Sequence, residues 1–194
     1  MDRLILGSQS PRRKEILSYF NLPFEQHTSF FDEEAVPFKG DPQQYVCTIA
    51  SGKSEALAHL FPDAIILTAD TTVYLDGEIY NKPSTEEEAF QSLSKLVGKW
   101  HHVYSGVSLR YKNQEYRESE ETKVLFNALN PEQIRHYHSK IHWADKAGSY
   151  AIQMGAGLIV NKIDGCYYNV MGLPINTVRR LLNKIGIELW DYVK

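Results

Sequence analysis

The stretch LILGSQSPRR, residues 4–13, joins an apolar run to a pair of arginines through a short polar turn. The apolar run predicts a buried strand. Ser10 followed by Pro11 predicts a helix start, because Ser favours the N-cap and Pro the first helical position. The free amides of that first turn, beside Arg12 and Arg13, would stabilise the oxygens of a phosphate. A solvated arginine pair on a surface helix is the alternative that this stretch alone leaves open.

Outward from this stretch, predicted strands and helices alternate along the chain. The predicted elements are a first helix with Ile16, Leu17 and Phe20 on its apolar face, an irregular stretch over Leu22–Gly40, a helix opened by Asp41-Pro42, strands over Ala64–Leu75 and Glu78–Lys82, a helix with a capping box at Ser84-Thr85-Glu86-Glu87, strands over His102–Tyr111 and Glu115–Phe126, a short helix from Asn130, and a last helix over Thr177–Ile185. Asp76-Gly77 is typical of a hairpin turn, so antiparallel pairing accompanies the interleaved helices. We therefore expect a mixed-sheet α/β fold.

Composition excludes several classes of protein. The 194 residues are 43% hydrophobic with a formal net charge of −3, which is typical of a globular domain and argues against a general nucleic-acid binder. Cys47 and Cys166 have no paired spacing, so neither a disulfide framework nor a zinc site is indicated. The adjacent His101 and His102 would point to opposite faces of a strand, which disfavours a two-histidine metal site. Without a signal peptide pattern or a long apolar run, we expect a soluble, cytoplasmic protein.

Two polar residues stand in apolar surroundings. Asp70 interrupts the apolar run Ile65–Val73, where a carboxylate is costly unless a metal, a cation or hydrogen-bond donors surround it. Lys53 follows Ile49 by four residues and precedes Leu57 by four, so it projects from the apolar face of its helix. Structural explanations remain open, namely an Asp paired to a backbone turn or an Arg, and a Lys that snorkels at the margin of its helix.

The predicted hairpin carries a further cation. A two-residue loop at Asp76-Gly77 sets a register in which Thr71 lies opposite Lys82. Lys82 then lies within one residue of Asp70 along the ladder but on the other face of the sheet, so we predict proximity and not an ion pair. The candidate charged residues are therefore Arg12, Arg13, Lys53, Lys82, Glu33 and Asp70. Such a set suits a polyphosphate, because basic groups donate to phosphate oxygens and carboxylates bind hard cations.

Eight different motifs follow one another along nearly the whole chain. They are SQSPRRKEIL (8–17), DE (32–33), SGK (51–53), ADTTV (69–73), NKP (81–83), GKWHHVYSGV (98–107), KAGSYAIQ (146–153) and GCYYNVMGLP (165–174). This ordered set resembles the Maf family of nucleoside triphosphate pyrophosphatases, first known as septum-formation-inhibitor-like proteins. The resemblance implies a single bilobed domain over residues 1–194, with an elongated, twisted mixed sheet, flanking helices and a central cleft. That arrangement is similar to the fold of the inosine-triphosphate pyrophosphatases, and proteins of the family are usually homodimers.

The resemblance also implies an activity, which is hydrolysis of a nucleoside triphosphate between the α and β phosphates with Mg²⁺ or Mn²⁺. It assigns Asp70 as the proton acceptor. It assigns Ser8, Arg13, Lys53 and Lys82 to the substrate, Glu33 and Asp70 to the metal, and Arg12, Thr71 and Gln153 to base selection in the branch that prefers dTTP and UTP, normal or modified. A sister branch acting on 7-methyl-GTP has Gln after the catalytic Asp, where this chain has Thr71.

The chain departs from the family pattern at two places near Gln153. His142-Trp143 stands where Glu-Pro is common, and Met154 stands where Gly is common, so base preference is the property most affected. One alternative is a 7-methyl-GTP or purine triphosphate pyrophosphatase. Another is a nucleotide-binding regulator of septum formation without catalysis. Asp70 favours the enzyme, because a neutral residue would serve triphosphate binding better.

Overall fold

The computed structural model describes residues 2–194 apart from the side chain of Met154, so the effect of that substitution lies outside the described residues. The seven strands are β1 (Leu4–Gly7), β2 (Glu25–His27), β3 (Ile65–Leu75), β4 (Glu78–Tyr80), β5 (Trp100–Tyr111), β6 (Gln114–Phe126) and β7 (Val160–Asp164). The helices are α1 (Pro11–Leu17), α2 (Pro42–Leu60), α3 (Glu86–Leu96), α4 (Pro131–His138), α5 (Tyr167–Met171) and α6 (Ile175–Asn183), with 3₁₀ turns at Ala147–Ser149, Met154–Leu158 and Leu189–Tyr192. The expected mixed α/β fold is confirmed.

One sheet contains all seven strands, in the order β2-β1-β3-β5-β6-β7, with β4 also paired to β3. Strands β1 and β4 pair with different parts of the same edge of β3. Parallel pairing with β1 stops at Gly7 opposite Thr68, and antiparallel pairing with β4 starts at Tyr80 opposite Val73. Residues 69–72 therefore have no strand partner on this edge in the described part of the chain. The segments that leave β1 and β4 both emerge at this gap.

The sheet is covered on both faces. Helix α2 lies on one face, where Leu57 packs with Ile5 and Ile66, and α6 covers the other through a larger apolar cluster. Gly106 on β5 sets the distance to α2, since a Cβ there would lie 2.5 Å from the backbone of Val46. Gly106 is also the register partner of Asp70. The close approach therefore brings α2 directly over the strand position that carries this carboxylate.

The return strand of the hairpin is shorter than predicted. The register that follows from the Asp76-Gly77 loop is confirmed, but pairing ends at Tyr80, so the predicted pairing of Thr71 with Lys82 is wrong. Side chains replace the ladder beyond that point. The Thr72 hydroxyl donates to Asn81 Oδ1 at 2.7 Å, and Asn81 Nδ2 donates to the Tyr45 hydroxyl at 3.0 Å.

Other local predictions were also wrong. The stretch predicted as irregular contains β2, a three-residue strand held by parallel pairing with β1. The first helix ends at Leu17, and Phe20 instead forms a bridge with Val193. Thr85, and not Ser84, caps α3 by accepting from the amide of Glu88. The last helix begins and ends two residues earlier than predicted, and β7 and α5 were not predicted.

Candidate active site

A cleft of about 440 Å³ opens at the free edge of β3. It is lined by the segment after β1, by β3, by parts of α2 and α5, and by residues 144–147 and 150–153. All nine site residues predicted from the sequence line it, namely Ser8, Arg12, Arg13, Glu33, Lys53, Asp70, Thr71, Lys82 and Gln153. The structure therefore brings these residues together, while their individual roles stay predictions.

Lys53 bridges the two carboxylates of the site. Its ammonium Nζ lies 2.9 Å from Asp70 Oδ1 and 2.9 Å from Glu33 Oε1. The Lys53 side chain is 7% exposed and that of Asp70 11%, so both charges are largely withdrawn from water. A buried ion pair is weak evidence for stability, because the cost of desolvation offsets much of the attraction. Its position at the wall of a cleft indicates a functional reason for the arrangement.

Glu33 is supplied by the loop that precedes α2. Phe31 of this loop packs against Gly52, where a Cβ would lie 2.3 Å from the Phe31 ring. Burial alone would raise the pKa of Glu33. Lys53, with help from Lys82 and Arg13, outweighs burial and lowers the pKa below its ordinary value. Glu33 is therefore ionised at neutral pH.

Arg13 is held by neutral oxygen atoms. Its Nε donates to the main-chain oxygen of Gly172 at 2.7 Å, Nη1 to Ser8 Oγ at 3.2 Å, and Nη2 to Thr71 Oγ1 at 3.1 Å. Burial lowers the pKa of Arg13, and the charges of Asp70 and the neighbouring Glu33 oppose that shift. An arginine remains protonated in proteins, so its charge is available to a ligand in the cleft.

Arg12 faces a different set of partners. Its Nη1 donates to Asp145 Oδ2 at 2.8 Å and its Nη2 to the main-chain oxygen of the same residue at 3.1 Å. Lys146 also contacts the Asp145 carboxylate. Burial would raise the pKa of Asp145, but these two cations lower it below its ordinary value. Gln153 also lines the cleft.

Two residues that support the site were not predicted from the sequence. Asp145 stands directly before the KAGSYAIQ motif, and this position was the available signal. Ser105 is fully buried on β5, and its hydroxyl lies 2.8 Å from that of Thr71. A small polar residue within the GKWHHVYSGV strand motif gave no indication of that contact.

The remaining sequence expectations concern Lys82 and the histidines. Lys82 and Asp70 both line the cleft, and no ion pair joins them in the described residues. Their predicted proximity stays a prediction. His101 is buried against Tyr150, whereas His102 contacts Glu121 on the other face of the sheet. The two histidines therefore do not form a joint metal site.

The donor set suits a hard divalent cation that is shared with a ligand. Within residues 2–194, the described part of the chain, no group of three or more His, Cys, Asp or Glu side chains is arranged to hold a metal ion alone. The carboxylates of Glu33 and Asp70 do lie close together, because both contact the ammonium group of Lys53. Mg²⁺ is commonly bound by one or two carboxylates together with substrate phosphates and waters. Two carboxylates that face an open cleft fit that pattern.

The fold and the cleft together define a class. A carboxylate at the free edge of the central strand lies in one cleft with Lys53, Arg13 and Lys82, and this set of charges suits a protein that binds a polyphosphate. Residues 3–185 match the family model described as Maf-like protein. The chain belongs to this Maf-like family, which confirms the resemblance found in the sequence.

Similar proteins span the whole chain. It is 43% identical over 192 residues to the dTTP/UTP pyrophosphatase of Chlamydia caviae, with 98% of each protein covered. It is 43% identical over 190 residues to the dTTP/UTP pyrophosphatase of Clostridium perfringens, covering 96% of this chain and 99% of the relative. The Chlamydia muridarum relative, 39% identical over 192 residues with 98% of each protein covered, is called a nucleoside triphosphate pyrophosphatase.

A solved structure shares the fold. The Staphylococcus aureus Ham1 protein aligns with a TM-score of 0.52 and 14% identity over 94% of this chain and 99% of that protein. At this identity the likeness concerns the fold alone.

None of the described helices is long and apolar enough to cross a membrane.

Proposed function

We propose that this chain is a nucleoside triphosphate pyrophosphatase that hydrolyses dTTP and UTP to the nucleoside monophosphate and pyrophosphate. The observation that carries the proposal is the buried Lys53, which lies 2.9 Å from both Asp70 and Glu33 at the wall of the cleft. Relatives at 43% identity over nearly the whole chain carry the name dTTP/UTP pyrophosphatase, which supports the choice of substrate.

Each charged residue has a task in this reaction. Asp70 orients the attacking water and accepts its proton, and Lys53 holds the carboxylate in place through the 2.9 Å contact. Arg13 and Lys82 donate hydrogen bonds to phosphate oxygens and stabilise the charge that develops on them. Three hydrogen bonds hold Arg13 before the substrate arrives, so this donor needs little reorganisation during the reaction.

A divalent cation, Mg²⁺ or Mn²⁺, is part of the proposal. Glu33 and Asp70 would hold it together with the phosphates. When bound, it neutralises phosphate charge and polarises the bond that breaks. The ionised state of Glu33, which nearby cations favour, suits this task.

Selection of the base is assigned to the other side of the cleft. Arg12 and Gln153 both line the cleft, and their donors and acceptors suit the carbonyl and imide groups of a uracil-type ring. The resemblance adds Thr71 to this set. The homodimer and a link to septum formation are further proposals that follow from the resemblance. The cytoplasmic location is a proposal that follows from the sequence pattern.

A panel of nucleoside triphosphates tests the proposal. The purified protein is supplied with dTTP, UTP, CTP, ATP, GTP and 7-methyl-GTP, and both pyrophosphate and phosphate are measured. We expect pyrophosphate and a monophosphate as products, with the highest kcat/KM for dTTP and UTP. Chelation should abolish turnover, and added Mg²⁺ or Mn²⁺ should restore it.

Each other outcome identifies the part that fails. A preference for 7-methyl-GTP or a purine triphosphate would replace the assigned base and leave the reaction. Release of phosphate with a diphosphate would contradict the reaction itself. Tight triphosphate binding without any hydrolysis would support the nucleotide-binding regulator instead.

A further inference from the structure

Lys82 lines the cleft without an ion pair to hold it in the described residues, unlike Lys53, which contacts two carboxylates. Its residue is exposed, and its charge helps to lower the pKa of Glu33. A lysine has a long, flexible side chain. The reach of Lys82 into the cleft therefore depends on how its backbone is held.

Asn81, directly before Lys82, attaches the segment that leaves β4. Pairing with β3 ends at Tyr80. Beyond that point Asn81 Oδ1 lies 2.7 Å from Thr72 Oγ1, and Asn81 Nδ2 lies 3.0 Å from the Tyr45 hydroxyl. A hydroxyl can donate or accept, so both contacts are satisfied in either orientation of the amide. The Asn81 side chain thus replaces the ladder where the strand stops.

Both partners of Asn81 are buried on elements that carry the other charged residues. Thr72 is fully buried and Tyr45 is 8% exposed. Thr72 follows Asp70 by two positions on β3, so their side chains lie on the same face of the sheet. Tyr45 precedes Lys53 by about two turns on the buried face of α2. Asn81 therefore fixes its segment relative to both walls of the phosphate site.

The segment is also held on the far side of Lys82. Pro83 is buried, and its ring fixes its own backbone angle. A proline also restricts the residue before it to extended conformations. The Lys82 backbone is thus bracketed by an anchored amide on one side and a buried ring on the other.

From this geometry we propose that Asn81 is a positioning residue for Lys82, which holds the backbone from which the lysine reaches the phosphates. The inference rests on the proposed function and deepens it. Among the described residues, the lining of the cleft includes Lys82 but not Asn81. Asn81 therefore acts on the triphosphate through Lys82, and its loss affects every nucleoside triphosphate alike, whatever the base.

The test compares Asn81→Ala with a matched control. Asn161→Ala removes another exposed amide, one that bonds to Asn127 at 2.7 Å away from the cleft. We expect Asn81→Ala to lower kcat/KM by about three- to tenfold, as for hydrogen bonds between neutral groups, and equally for dTTP, UTP and ATP. Its affinity for pyrophosphate, measured by calorimetry, should fall as well. Asn161→Ala should keep the parental values.

Double variants separate positioning from a general structural effect. In a Lys82→Ala background, Asn81→Ala should cause no further loss, because the residue through which it acts is gone. In a Lys53→Ala background the loss should persist in full. Tyr45→Phe keeps the ring and removes one of the two contacts, so it should give a smaller loss that also depends on Lys82. Thermal unfolding of each variant is followed in parallel, and Tyr45→Phe decides the question if Asn81→Ala does not fold.

Four results would overturn the proposal. Parental kcat/KM in both Asn81→Ala and Tyr45→Phe would show that the contacts do not matter. An undiminished loss in the Lys82→Ala background, or an equal loss in Asn161→Ala, would show a general structural effect. A change of more than about threefold in the dTTP to ATP ratio of kcat/KM would place Asn81 in base selection instead.

Failure of the proposed function can be told apart from failure of this inference. If the parental protein hydrolyses no triphosphate, the proposed function fails, and calorimetry with pyrophosphate then decides about the positioning role. Weaker pyrophosphate binding by Asn81→Ala, with no further weakening in the Lys82→Ala background, supports that role. Binding equal to that of the parental protein refutes it.

Discussion

Arg12 and Arg13 are neighbours in sequence but are held in opposite ways. Arg13 contacts only neutral acceptors, which fix its direction and leave its charge for an incoming anion. Arg12 is paired with the carboxylate of Asp145, which offsets its charge. Successive positions on a helix point about 100° apart, so the pair reaches two walls of one cleft. In the proposed function Arg13, Lys53, Asp70, Glu33 and Lys82 form the phosphate side of the cleft. Arg12, Asp145 and, from the resemblance, Gln153 form its base side.

The difference shows how one cleft can handle two parts of a substrate. Charged phosphates need cations whose charge is not already neutralised, whereas an uncharged base needs directed donors and acceptors. If this division is correct, changes on the phosphate side should affect every triphosphate equally. Changes on the base side should alter the ratio between substrates.

Asp70→Asn is the strongest test of the phosphate side. It removes the proposed base at nearly constant shape, so we expect turnover to fall by about 10²–10⁴-fold, the usual contribution of general base catalysis. Triphosphate binding should stay intact or become tighter, because one negative charge beside the phosphates is lost. Kinetics and calorimetry on the purified variant measure both effects. Asp63→Asn, at an exposed position, is the control, and near-native turnover by Asp70→Asn would refute the role of Asp70.

Removal of single cations should have the next largest effect. Arg13→Ala and Lys53→Ala should each lower turnover of all triphosphates by more than about tenfold, as for a charge-assisted hydrogen bond lost in the transition state. Arg12→Ala should instead change the ratio of kcat/KM between dTTP and ATP. The exposed Arg117 and Lys162 provide matched alanine controls. Parental rates in both the Arg13 and the Lys53 variant would show that these cations do not act on the substrate.

Asp145→Asn should have a smaller effect, confined to the base side. The change releases Arg12 from its carboxylate partner, so the guanidinium is directed less firmly at the base. We expect the dTTP to ATP ratio of kcat/KM to change severalfold, by about three- to tenfold for a hydrogen bond of ordinary strength. Pyrophosphate affinity, measured by calorimetry, should hardly change. A large loss of pyrophosphate binding would place Asp145 on the phosphate side.

The pH dependence of base preference should be the weakest effect. The pKa of Asp145 is lowered in the folded protein, so its ion pair is present above the ordinary carboxyl range and is lost only as pH falls below it. Between about pH 5 and pH 8 the ratios of kcat/KM between dTTP, UTP and ATP should therefore stay constant, even where kcat itself changes. A ratio that varies with pH in this window would indicate a different titrating group on the base side.

The sequence predicted which residues line the cleft, but not which of them belong to the phosphate side and which to the base side. Asp70 and Lys53 were recognised as polar residues in apolar runs, and burial makes such residues conspicuous because each needs a partner. The contrast between Arg12 and Arg13 could not be predicted, since it depends on Asp145 and Gly172, far along the chain. Similar reasons explain the errors in the fold.

Two of those errors concern elements that depend on distant partners. Strand β2 has only three residues and exists through pairing with β1, and β4 stops at Tyr80 because Asn81 bonds to Thr72 and Tyr45. In contrast, the helix start at Asn130 was predicted correctly, since its cap depends on residues within one turn.

The free edge of β3 has a consequence for how the protein reaches its active form. One boundary of the gap is a local hairpin with β4, which can close within microseconds, and the other is parallel pairing with β1, which must wait for a segment distant in sequence. The cleft exists only after both pairings are made. During refolding, hydrolytic activity should therefore return after the hairpin has formed and together with the β1–β3 pairing. Recovery of activity would then measure when folding is complete.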